Sequence, residues 1–104
     1  MRIEIAEKRD ALAALCRRYG VTRLEVFGSA SRGTDYGIER SDMDFLVTFN
    51  NETRNDLATF VDLKEALEAL LGRPVDLVER EAIESSRNFL RRRIILKEAQ
   101  SVYG

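Results

Sequence analysis

The chain has 104 residues, 17 basic and 18 acidic, with a net charge of −1, the size of one small domain spanning 1–104. It contains no histidine and a single cysteine, Cys16. That excludes Ser-His and Cys-His catalysis, histidine metal sites, internal disulfides and cysteine-rich zinc sites.

With 34% charged and 44% hydrophobic residues the composition is that of a folded protein with a charged exterior. Nucleic acid is not expected as a direct partner, because the charges nearly balance and contact would need a local basic patch. No apolar run approaches the roughly 18 residues of a membrane span, and Met1-Arg2-Ile3-Glu4 lacks a signal-peptide apolar region. A cytoplasmic protein without membrane contact is expected.

In chain order, Ile5, Leu12, Leu15, Cys16 and Tyr19 recur at helical spacing, with Gly20 as a stop. Cys16 lies on that apolar stripe and reads as a buried structural thiol. Val21 to Phe27 alternates as a strand, Leu24 and Val26 on one side, Arg23 and Glu25 on the other. The strand ends at Gly28-Ser29, and residues 30–41 read as a short helix followed by a loop. Met43 to Phe49 is a second strand, closed by Asn50-Asn51.

Asp56 can cap a helix with Leu57, Phe60, Val61, Leu67, Leu70 and Leu71 on one stripe. Gly72 ends it, and Val75 to Glu79 forms a third strand. Ser85 or Ser86 then opens a last helix running towards Tyr103. Its expected apolar stripe is Phe89, Ile95, Leu96, Ala99, Val102 and Tyr103, with Leu90 and Ile94 on another side. A helix apolar on two sides is deeply buried or shared with another chain. Residues 87–97 carry Arg87, Arg91, Arg92, Arg93 and Lys97 with no acid, a solvated or partner-facing charge run. The alternation predicts an α/β (α+β) fold, a small mixed β-sheet covered by helices.

Asp42 and Asp44 flank Met43 at the entrance to the second strand. Strand residues two apart face the same way, about 7 Å apart. Two such carboxylates repel unless a cation lies between them, and hard oxygen ligands suit Mg²⁺, which also takes substrate phosphates. Leu46 at the next odd position rules out a calcium loop. Asp76 is a third carboxylate on the third strand. Taken singly these signals are weak, and a bare Asp-x-Asp in a chain with 18 acidic residues is more often a solvated turn.

Gly28-Ser29, between a strand and a short helix, suits a phosphate: the glycine lets backbone N–H groups approach, and the Ser29 hydroxyl adds a donor. Arg32 could fork onto the same phosphate. The alternative is a helix cap at Ser29 and a surface charge at Arg32. Ser29 is not a hydrolase nucleophile, since no histidine activates it and no G-x-S-x-G elbow is present.

Together, Phe27-Gly28-Ser29-Ala30-Ser31-Arg32-Gly33, Ser41-Asp42-Met43-Asp44-Phe45 and Val75-Asp76-Leu77-Val78 resemble the minimal nucleotidyltransferases of the DNA-polymerase-β superfamily, the antitoxins of HEPN/MNT pairs among them. The resemblance covers nearly the whole chain and implies the polymerase-β-like nucleotidyltransferase fold. It implies that Gly28 and Ser29 hold a nucleotide triphosphate, with ATP as co-substrate. It further implies that Asp42 and Asp44 bind two Mg²⁺ ions, and that Asp76 joins one and helps deprotonate the attacking hydroxyl. The expected partner is a HEPN-domain toxin that receives AMP on a tyrosine. A module that silences its partner by covering it, or a transferase for a small hydroxylated compound, are the alternatives. One departure stands out: 12 residues (30 to 41) separate Ser29 from Asp42, where the family pattern has about ten.

Overall fold

The computed structural model describes residues 3–28 and 43–104. Within them, two short helices, α1 (Ile3–Glu7) and α2 (Arg9–Arg18), precede strands β1 (Val21–Phe27) and β2 (Met43–Phe49). Helix α3 (Leu57–Leu71), strand β3 (Val75–Glu79), helices α4 (Arg80–Glu84) and α5 (Phe89–Glu98) and strand β4 (Gln100–Tyr103) follow. The strands form one mixed sheet in the order β3-β2-β1-β4. β1 is antiparallel to β2 and to β4, whereas β2 and β3 run parallel, joined by the α3 crossover that a parallel pair requires.

Strand alternation divides the sheet into two faces. One presents Leu24, Val26, Met43, Phe45, Val47, Val75 and Leu77, packed with Leu12 and Cys16 of α2 and Leu63, Leu67 and Leu71 of α3. The other presents Phe27 and Leu46, covered by Ile83 of α4 and Ile95 of α5. The sheet is therefore the middle of three layers. Asp56 starts α3, its carboxylate accepting from the N–H groups of Ala58 and Thr59, and Gly72 ends it in a left-handed conformation.

Several expectations need correction. The first helix is interrupted at Lys8, which caps α2 in a non-helical conformation while Leu12 N–H donates to its carbonyl. Glu25, on the side of β1 opposite Leu24 and Val26, is only 2% exposed, and Arg80 of α4 donates to its carboxylate. On α3 the buried face is Leu63, Leu67 and Leu71, while Leu57 is 74% and Val61 43% exposed.

The last segment differs most. The serine pair does not open a helix: Ser85 closes α4, and Asn88 caps α5, accepting from Arg91 N–H. Residues 100–103 are not helical but form β4, so Val102 is buried by pairing beside β1. Phe89 lies on the exposed side of α5 with Leu90 and Ile94. The helix expected within 30–41 lies outside the described residues.

Candidate functional site

The end of the sheet beneath α5 brings three of the candidate residues together. In the parallel ladder Asp44 of β2 stands directly opposite Asp76 of β3. Neighbouring strands are about 4.8 Å apart, and residues in register face the same way, so the two carboxylates are adjacent on one face. In the antiparallel ladder Asp44 is opposite Phe27, which places Gly28 beside it.

Local chemistry fixes this alignment. Met43 N–H donates to the Pro74 carbonyl at 3.1 Å, locking the start of β2 to the start of β3. Val75 N–H donates to the Glu68 carboxylate at 2.9 Å, tying β3 to the last turns of α3. That hydrogen bond, against some desolvation and helped by Lys64, holds the Glu68 carboxyl below its ordinary range. Gly28 has φ +72°, and a Cβ built on it would lie 2.9 Å from Asp44 Oδ2. Glycine is thus required twice here, for the left-handed turn and for the close approach of backbone to carboxylate.

A cavity of about 530 Å³ opens over this point, lined by Gly28, Asp44 and Asp76 from the sheet and by Asn88, Arg91 and Glu98 from the α5 side. Leu90, Ile94 and Ile95 complete its helical wall. Three carboxylates and one guanidinium make it a place for cations and for phosphates held through them. A second cavity, about 390 Å³ and lined by apolar Leu57, Phe60, Leu77, Val78 and Ala82 among others, contains none of the candidate residues. The candidate residues Gly28, Asp44 and Asp76 therefore share the first cavity.

The adjacent Asp44 and Asp76 carboxylates fit one hard divalent cation, the rest of whose shell would come from phosphate oxygens and water. Among the described residues no third histidine, cysteine or acid joins them as a ligand cluster. Asp42, Ser29 and Arg32 lie outside the described residues. Among the described residues no helix is long and apolar enough to cross a membrane.

Sequence reasoning missed Arg91 and Glu98 as residues of this cavity. Their signal was present: Arg91, Ile94 and Glu98 are spaced i, i+3, i+7, one face of a helix. Nothing in a run of five bases singles out the one that turns towards the aspartates.

Known proteins resemble this chain in sequence and in fold. A family model described as a nucleotidyltransferase domain matches residues 8–102. The protein adenylyltransferase MntA of Thermococcus cleftensis is 46% identical over 71 residues, 68% of either chain. A solved structure described as a candidate minimal nucleotidyltransferase is 39% identical, with a TM-score of 0.74 over 96% of this chain and 95% of that one. The fold also recurs, at 21% identity and a TM-score of 0.56, in a complex of the tri-AMPylated Shewanella oneidensis HEPN toxin with its MNT antitoxin, covering 96% of this chain and 72% of that one. With the match running over nearly its whole length, the chain belongs to the nucleotidyltransferase domain family, as a minimal member of the DNA-polymerase-β superfamily.

Proposed function

We propose that this nucleotidyltransferase moves AMP from ATP to a hydroxyl, a tyrosine's, on a HEPN-type toxin and thereby acts as its antitoxin. The observation that carries the reading is the register of Asp44 with Asp76 beside Gly28. The Thermococcus cleftensis relative named as a protein adenylyltransferase supports the protein acceptor, and the HEPN toxin complex that shares the fold supports the partner.

In this reaction the acceptor oxygen bonds to the α-phosphorus of ATP, the α–β phosphoanhydride breaks, and pyrophosphate leaves. Two Mg²⁺ ions, when bound, supply charge stabilisation at the attacking and leaving oxygens. Asp42 and Asp44 would hold both ions, and Asp76 one of them. Gly28 and Ser29 would cradle the triphosphate through backbone N–H groups and a hydroxyl, with Arg32 forking onto a phosphate. Asp76, exposed at its strand position, would take the proton that leaves the acceptor hydroxyl. No histidine is needed, because carboxylates beside a divalent cation stay ionised at neutral pH.

The test is the intact mass of the partner after incubation with ATP and Mg²⁺, wild type against Asp76→Asn. AMP-sized additions with wild type, reduced by about 10²–10⁴ in rate with the variant, are expected. No added mass, with equal neutralisation by both proteins, would replace the enzyme with a covering module.

A further inference from the structure

The cavity over the aspartates contains one base among its described lining residues, Arg91, and its neighbours in the same basic run are placed elsewhere. Arg92 donates through Nη1 to the carbonyls of Glu84 at 3.3 Å and Ser86 at 3.2 Å, fastening α5 to the end of α4. Arg87, Arg93 and Lys97 do not line the cavity.

The direction of Arg91 is set from two sides. Its backbone N–H donates to the Asn88 side chain at 3.2 Å, which fixes the first turn of α5. One turn later Ile95, 7% exposed, anchors the helix against Phe27 and Leu46. Arg91 thus sits across the cavity from Asp44 and Asp76 and forms no ion pair among the described residues, although Asp44, Asp76 and Glu98 share the same space.

We propose that Arg91 grips the triphosphate of the nucleotide, a contact separate from those of the Gly28 turn. The proposal rests on the nucleotide-transfer reading and names a ligand contact that reading lacks. A triphosphate entering a cavity lined by three acids needs cationic partners beyond the metal ions. A guanidinium is always charged, and its planar fork matches two phosphate oxygens at once. Placed on α5, opposite the sheet, it holds the phosphates from the side that the aspartates do not reach.

The experiment is calorimetric titration of the full chain with ATP in Mg²⁺, for wild type, Arg91→Ala, Arg91→Lys and Arg93→Ala. Arg91→Ala should weaken binding about ten- to a hundredfold. Arg91→Lys should recover part of that loss, since the charge remains and the fork does not. Arg93→Ala makes the same change of net charge outside the cavity and should bind within about twofold of wild type. Melting curves of all four proteins should coincide. Wild-type affinity in Arg91→Ala overturns the proposal, as does an equal loss in Arg93→Ala, which would mean a diffuse charge effect. If wild type binds no ATP, the nucleotide-transfer reading itself falls, an outcome distinct from those two.

Discussion

Arg80 closes on both oxygens of the buried Glu25 carboxylate, with Nη1 2.6 Å from Oε2. The pair pins the first residue of α4 to the middle of β1, and Arg80 also reaches Glu84 at 3.2 Å. Burial opposes the charge on Arg80, but the hydrogen bonds and charge of Glu25, with those of Glu84, raise its pKa overall. Removing Arg80 leaves the buried Glu25 carboxylate with only Arg23, more distant at 3.5 Å and half exposed. Arg80→Ala should destabilise the fold by about 3 kcal/mol in urea unfolding, whereas Glu25→Met with Arg80→Met should lose far less, because both charges go together.

Gly28 and Gly72 share a left-handed backbone but not their surroundings. A Cβ at Gly28 meets Asp44, whereas one at Gly72 meets nothing within 4 Å. Both alanine variants should lose about 1 kcal/mol of stability from strained φ. Only Gly28→Ala should lose transfer activity, by tenfold or more, as Asp44 is pushed aside. Equal activities would mean that the contact with Asp44 is unimportant.

Metal dependence should track Asp44. Chelation should abolish transfer, and added Mg²⁺ should raise the melting temperature of wild type by a few degrees through binding to the folded state. Asp44→Asn should show neither effect. A variant that still responds to Mg²⁺ in both assays would remove Asp44 from the metal site.

The Glu68 bond to Val75 predicts a pH signature. A carboxyl held below its ordinary value of 4.5 stabilises the fold fully above that pH. The contribution fades as pH falls through the lowered value, where the native carboxylate protonates. Glu68→Ala should therefore melt below wild type at pH 7, and the gap should narrow as pH falls below 4.5. A gap that stays constant with pH would assign the loss to packing.

Burial raises the Cys16 pKa to about 11, only partly countered by Arg17, so the native protein holds almost no thiolate at pH 8. A thiol reagent should label Cys16 slowly in native buffer and rapidly in urea. Fast native labelling would contradict the packing of α2 on the sheet.

Three strands and the α3 crossover were legible because each ends on a strong local signal, such as Gly28, Asn50-Asn51 or the Asp56 cap. The face of α3 was not. At about 100° per residue, Leu57 and Val61 fall on the shoulder of an apolar arc centred near Leu67, and which part is buried depends on where the sheet lies. Val102 and Tyr103 continue the periodicity of α5, yet also suit a strand. Pairing with β1, remote in sequence, decides between them. The partnership of Asp44 and Asp76 was similarly hidden: each was visible alone, but their contact exists only through the parallel register. The pairing of Glu25 with Arg80 was hidden in the same way, because the two lie 55 residues apart.

The sheet order also dictates when the site can exist during synthesis. β1 lies between β2 and β4, and its residues Leu24 and Val26 pair with Tyr103 and Gln100. A nascent chain that has made β3 already carries both aspartates, but β1 still presents an open apolar edge with unpaired N–H and C=O groups, able to recruit other strands. Closing it requires contacts between distant parts of the sequence, the slow kind in folding. Ribosome-bound intermediates should therefore be inactive and prone to aggregation until residues 100–103 emerge, whereas the finished sheet covers that edge with β4.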